Sequence, residues 1–190
     1  AAMVLSCSSH EEDVAAAEEA LKELLSDTKD SAIQVRREFP IALRHIDRPH
    51  FRRLLIPLLH DSDPEVAWEA MRTVRRLGTA DFIFIPTLIS LLRDRRLKSS
   101  ARELLVASGE QALGILNHFL RDPEEDIWVR RAIPSTIARI PCQQAMNILV
   151  AALGDADGIL RFKVLAATER LHRGHSQLSY DHDQIESLAL

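Results

Sequence analysis

One heptapeptide pattern recurs down the chain: Leu21-Lys-Glu-Leu-Leu-Ser-Asp27, Leu55-Ile-Pro-Leu-Leu-His-Asp61, Leu88-Ile-Ser-Leu-Leu-Arg-Asp94, Leu116-Asn-His-Phe-Leu-Arg-Asp122 and Leu149-Val-Ala-Ala-Leu-Gly-Asp155. The aspartates follow one another at steps of 34, 33, 28 and 33 residues. A period of that length fits a unit of two helices. Such a unit cannot bury its apolar side alone and must stack on copies of itself. Within each copy the leucines keep helical spacing rather than strand alternation. The closing Asp stands where one helix stops and the next needs a cap.

The residues after each Asp read as that next helix. In the clearest copy, Asp63 is placed to cap, Pro64 suits the first helical position and Gly78 suits the stop. Asp122-Pro-Glu-Glu repeats the logic, and Asp155-Ala-Asp157-Gly is a looser relative. These signals predict helix pairs at 11–26/30–46, 50–60/64–77, 83–93/96–107, 110–121/124–140 and 143–154/157–172. Pro40, Pro57 and Pro134 fall inside them and should bend a helix or remove a backbone bond. With only 5% aromatic residues among 46% apolar ones, the core must be aliphatic, and an all-α fold is expected.

The Leu-rich first helix, the Asp63-Pro-Glu-Val66 turn and the period near 33 resemble HEAT repeats, notably the short bacterial HEAT-like type, over residues 11–172. The third copy departs from the pattern, with Arg95-Arg96-Leu97 where Asp-Pro would stand. The resemblance implies a right-handed α-α superhelix, a solenoid of about five helix pairs, that acts as a scaffold without a cofactor. The expected layout is a flexible segment over 1–10, a repeat domain over 11–175, and a tail or the start of a further helix over 176–190. Ile140-Pro-Cys-Gln-Gln and Leu160-Arg-Phe-Lys-Val are also similar to HEAT regions of large bacterial membrane proteins of the translocase or transporter type. With Met3 behind Ala1 and Ala2, that similarity implies a segment of a longer chain whose neighbouring domains are candidate partners.

Net charge is −4, but its distribution is uneven: −6 over residues 1–31, +5 over 32–175 and −3 over 176–190. Twenty arginines against four lysines make the positive groups mostly planar forks, suited to carboxylates, phosphates and aromatic faces. The overall acidity argues against a general nucleic-acid binder. Cys7 and Cys142 form neither a metal spacing nor a disulfide framework, so a reducing, cytoplasmic setting is expected. No apolar run approaches the roughly 18 residues that a membrane span needs, and residues 1–9 lack the basic start of a secretory leader.

Projected at about 100° per residue, the second helices carry a polar stripe opposite their apolar sets. Trp68, Arg72 and Arg75 lie on it in 64–77; Trp128, Arg131 and Arg139 in 124–140; Arg37 and Arg44 in 30–46; and Arg102 continues the row. Arginine beside indole is a common binding combination. One reading is a concave Arg/Trp face that takes an acidic peptide or protein segment. The other is a ladder in which these arginines tie each repeat to the next. Nucleic acid is the alternative ligand for the same groove.

Catalysis is not expected. The chain has no nucleophile elbow, no phosphate-cradling Gly loop and no His-Glu-x-x-His. HEAT-like iron hydroxylases need several His-Glu pairs, and His10-Glu11 is the single one here. His172 and His175 with Asp181-His182-Asp183 are the densest metal-type cluster, but they read as a polar loop, so no metal is expected. His60 and His118 end first helices, where a cation complements the dipole. Cys142, beside Pro141, reads as a small buried hydrophobe or a free thiol.

Overall fold

The computed structural model describes residues 10–26, 30–45, 49–78, 82–155 and 157–180. Asp27, Cys7 and Asp181 to Glu186 lie outside them. The chain divides into two compact units, Ala1–Phe84 and Ile85–Leu190. Both are all-α among the described residues.

In the first unit, α1 (Glu11–Ser26) buries Val14, Ala17 and Leu21, a helical spacing that leaves its other faces to water. Helix α2 (Asp30–Leu43) packs on it and runs through Pro40 without a break. The helix expected at 50–60 is instead two short pieces, α3 (Pro49–Arg52) and α4 (Leu55–Leu59). Pro57 explains the gap: it has no N–H, and its ring crowds the carbonyl four residues back, that of Arg53. The turn there is closed by tighter bonds, from Leu54 N–H to Phe51 O and from Ile56 N–H to Arg53 O. Helix α5 (Pro64–Leu77) begins at an Asp63 cap, with Pro64 in its first turn and Gly78 at its end, where φ is +92°.

Helices α2 and α5 pack side by side. Their contact is fixed by a polar bond inside an apolar setting. Thr73 is fully buried on α5 and donates its hydroxyl to the Pro40 carbonyl at 2.8 Å. That carbonyl lies in the last turn of α2, where no helical N–H remains to meet it. Arg44 Nε in turn donates to the Thr73 hydroxyl at 2.9 Å. Thr73→Val keeps the shape and strands both partners, so unfolding in urea should show a loss of about 1–3 kcal/mol. An unchanged midpoint would show that the bond adds nothing to the packing.

In the second unit, α6 (Ile85–Ser90), α8 (Leu113–Arg121) and α11 (Gln143–Ala151) are first helices and stack in sequence. The second helices stack likewise: α7 (Lys98–Ala107), then the pieces α9 (Ile127–Arg130) and α10 (Pro134–Ile137), then α12 (Gly158–Gly174). Short 3-10 turns flank α6 and precede α8. The helix expected over 124–140 starts later and is broken. Asp126, rather than Asp122, caps it, accepting the Trp128 N–H at 2.7 Å. Pro134 crowds the Arg130 carbonyl as Pro57 crowds that of Arg53. The heptapeptide leucines are buried in each unit: Leu55 and Leu59 in the first, and Leu88, Leu92, Leu116, Leu120, Leu149 and Leu153 in the second.

Candidate functional site

The stripe arginines divide into two groups, those that meet carboxylates and those that do not. On α2, Arg36 Nε donates to Asp61 Oδ2 at 2.8 Å. Arg37 grips Asp63 with Nη2 to Oδ2 at 2.8 Å and Nε to Oδ1 at 3.3 Å. Asp63 also accepts the Glu65 and Val66 N–H groups at the start of α5, and Asp61 Oδ1 accepts the Asp63 N–H at 2.9 Å. The second unit repeats the device. Arg130 donates to Asp155 and to the Leu120 carbonyl at the end of α8. Arg131 grips Asp157 at 2.6 and 3.1 Å, and Asp157 caps α12 through the Leu160 N–H. An Arg-Arg pair on one second helix thus holds an Asp-x-Asp turn 25 and 26 residues further on.

Arg36 and Arg130, the buried members of the two clamps, were not on the expected stripe. Their signal was nevertheless present: Arg36-Arg37 before Asp61-Ser-Asp63, and Arg130-Arg131 before Asp155-Ala-Asp157. Of the expected residues, Arg37 and Arg131 are clamp members. Arg44 is held by Glu69 at 2.7 Å as well as by Thr73. Arg72 is exposed and reaches the same Glu69 at 2.5 Å, Arg75 is exposed, and Trp68 is half-buried.

The clamps make acid sensitivity predictable. The Arg37 guanidinium and the N–H groups of α5 hold the Asp63 carboxyl below the usual carboxylate range, and Arg131 and the Leu160 N–H do the same for Asp157. A lowered folded pKa contributes stability above the unfolded value, lost as pH falls through the folded one. Asp63→Asn and Asp157→Asn should therefore melt below the parent at neutral pH. The gap should close from about pH 4 downward. A gap that persists in strong acid would rule out this origin.

Arg102 on α7 belongs to the other group. Its Nε donates to the Thr136 hydroxyl at 3.2 Å and its Nη2 to the Ser135 hydroxyl at 3.0 Å, with no carboxylate among its described partners. Burial, then the charges of Arg139 and Arg170, push its pKa down. Lys98, one turn earlier, is pushed down by burial, then by Arg102 and Lys163. Lys98, Arg102, Arg139, Lys163 and Arg170, from α7, the end of α10 and α12, are thus linked by repulsion through Arg102 and Lys98, and none of them has an ion pair among the described residues. Like charges gathered this way oppose folding and favour an anion.

Two aromatic side chains flank the cations. Trp128 is 67% exposed, with the Arg131 guanidinium 5.6 Å above its ring, and Phe162 on α12 is 71% exposed. A cleft of about 210 Å³ is lined by Arg131, Ser135, Phe162, Lys163, Ala166, Ala167 and Arg170, with no carboxylate on its wall. A larger cleft of about 600 Å³ beside Trp128 and Lys98 includes Asp94 and Asp126, already engaged by Arg96 and Arg93. Lys163, Arg170 and Phe162 lie outside the expected stripe: they sit on α12 and come to this face through its packing against α10.

Among the described residues, no group of three or more His, Cys, Asp or Glu side chains is placed to hold a metal. His172 Nδ1 bonds the Leu178 carbonyl at 3.1 Å, and its ring meets Tyr180 edge-on. Cys142 is half-buried and caps α11, its sulfur accepting the Ala145 N–H at 3.4 Å. No described helix is long and apolar enough to cross a membrane.

The chain matches the family of HEAT repeats over residues 18–114. No curated protein matches it. Among solved structures it is similar to the crystal structure of an engineered protein, at 18% identity and a TM-score of 0.42, over 91% of this chain and 96% of the other.

Proposed function

The chain belongs to the HEAT-repeat family, whose members generally serve as protein-interaction scaffolds, and from that premise we propose that it is a non-catalytic scaffold that receives an acidic segment of a partner protein. The contact surface is the second-helix face of the unit Ile85–Leu190. One observation carries this reading: a cleft of about 210 Å³ on that face is lined by Arg131, Ser135, Lys163, Arg170 and the exposed ring of Phe162, with no carboxylate among its lining residues. From the expected stripe, Trp128, Arg102 and Arg139 make the contact, joined by Lys98, Phe162, Lys163 and Arg170. Arg131 orients Trp128, while Arg37 and Arg44 brace one repeat against the next.

The groups brought together are guanidinium, ammonium, indole and phenyl. They attract anions and pack on apolar side chains, and none is a base at neutral pH. The partner segment belongs either to a separate protein or to a neighbouring domain of a longer parent chain. Nucleic acid fits less well. A polyanion is best held by a track of free cations, whereas Arg36, Arg37, Arg44 and Arg72 in the unit Ala1–Phe84 are paired with acids.

Fluorescence anisotropy of a labelled Glu/Asp-rich peptide tests the reading. The peptide should bind the full chain, weaken as salt rises, and change the emission of Trp128. The triple variant Arg102→Gln/Arg139→Gln/Arg170→Gln should bind on the order of 10-fold or more weakly. The two exposed changes alone, Arg139→Gln/Arg170→Gln, should also weaken binding without lowering the melting temperature, since they relieve like-charge crowding and leave the Arg102 bonds to Ser135 and Thr136 intact. Binding that ignores both salt and the triple variant would refute the proposed face.

A further inference from the structure

We infer that a second copy of this chain stacks on α12, so that the N-terminal repeat of one copy covers the last second helix of another. The surface used lies apart from the cleft that receives the acidic segment.

Matching positions on the second helices of the unit Ile85–Leu190 mark where a following repeat stacks. Counted four and eight residues from the residue that opens each helix, α7 carries Ala101 and Leu105, and the α9–α10 segment carries Arg130 and Pro134. All four are buried, and each of these helices has the next second helix packed on it. On α12 the same positions, counted from Asp157, hold Arg161 and Leu165. Both are exposed, Leu165 by 41%. Arg161 thus occupies the place of Arg130, the clamp arm that donates to Asp155, yet it has no ion pair among the described residues. A repeat stacked here would bring the Asp that closes its heptapeptide to Arg161 and an apolar side chain to Leu165.

The unit Ala1–Phe84 of another copy carries both. Arg36 precedes Asp61 by 25 residues, and Arg130 precedes Asp155 by the same distance. Residues 1–26 contain no arginine, so Asp27, which closes the first heptapeptide, has no such arm upstream in its own chain. Away from its buried Phe39 and Leu43, α2 exposes Val35, Glu38 and Ile41. Charge favours the same pairing. Residues 1–31 sum to −6, whereas α12 carries Arg161, Lys163, Arg170 and Arg173 against the single acid Glu169. The contact joins different surfaces on the two copies, so growth does not stop at a symmetric dimer.

Sedimentation of the full chain over a wide concentration range tests this. Its weight-average mass should rise past that of a dimer, and less so in high salt. Arg161→Glu/Leu165→Asp should raise the concentration needed on the order of 10-fold or more. Val35→Asp/Ile41→Asp should do the same from the other end. All four positions are exposed, so both variants should melt with the parent. Each variant keeps one intact face, so an equimolar mixture of the two should form a heterodimer and grow no further. A parent that stays monomeric, or whose mass levels off at a dimer, overturns the inference. So does a variant that associates as the parent does, or a mixture that stays monomeric. None of these outcomes touches the acidic-segment reading, whose cleft includes neither Arg161 nor Leu165.

Discussion

The variant Arg36→Met should melt roughly 6–20 °C below the parent, from a loss of about 3–5 kcal/mol converted at about 2–4 °C per kcal/mol for a chain of this size. Arg36 is 3% exposed and lies against Asp61, which is itself nearly buried. Methionine fills similar length but cannot donate. Asp61 Oδ2 then loses the guanidinium that offsets its burial. Breaking a buried pair from one side costs far more than the pair is worth against an apolar replacement of both sides. Asp61 must nevertheless remain polar, because its Oδ1 takes the Asp63 N–H that shapes the turn. The double variant Arg36→Met/Asp61→Asn removes the charge and keeps that acceptor. It should lose less than the two single variants summed, with a coupling of about 0.5–3 kcal/mol. Arg37→Met, at a side chain 40% exposed, should shift the melt only slightly. Hydrogen exchange over residues 30–77 locates the loss. Arg36→Met melting with the parent, or Arg37→Met costing more, would end the case for a buried clamp.

How far this arrangement could be read from residues alone is clearest at the clamps. The heptapeptide placed the helix pairs because its leucines keep helical spacing, a local rule. Its closing Asp does not cap the next helix: Asp61, Asp122 and Asp155 accept the N–H two residues on, while Asp63, Asp126 and Asp157 supply the acceptor where N–H groups are orphaned. Asp63, Pro64 and Gly78 stand at the end positions expected of them for the same reason. The breaks at Pro57 and Pro134 were foreseeable as bends, but whether a bend becomes a gap depends on what packs beside it. Pro40 shows this: it sits inside α2 without a break, and its carbonyl is met from α5.

Helical spacing gathers Arg and Trp on one stripe but does not separate the arginines that meet carboxylates from Arg102, which meets hydroxyls. That division turns on partners about 25 residues away: Arg37 finds Asp63 at that distance and Arg131 finds Asp157. Arg102 instead meets the hydroxyls of Ser135 and Thr136 about 33 residues on. Helical projection orders residues around one helix and carries no information about the next one. Lys163, Arg170 and Phe162 join the face only because α12 packs beside α10.

The fourth heptapeptide position provides the sharper test of the repeat logic, since one residue type meets different surroundings there. Leu58 and Leu91 are buried at this position, while Leu24 in the first copy is 47% exposed. Leu58→Ala and Leu91→Ala should each cost about 2–5 kcal/mol, from lost transfer energy plus a cavity that stacked neighbours cannot fully close. Leu24→Ala should stay within about 0.5 kcal/mol, as at an ordinary surface site. The fifth copy already carries alanine there, Ala152, and it is buried. A closely packed repeat has then filled the space by other means, so Ala152→Leu should be destabilising by about 1–3 kcal/mol through overpacking. Urea midpoints of the four variants would order them. If Leu24→Ala cost as much as Leu58→Ala, stability would follow the residue type at this position rather than its packing.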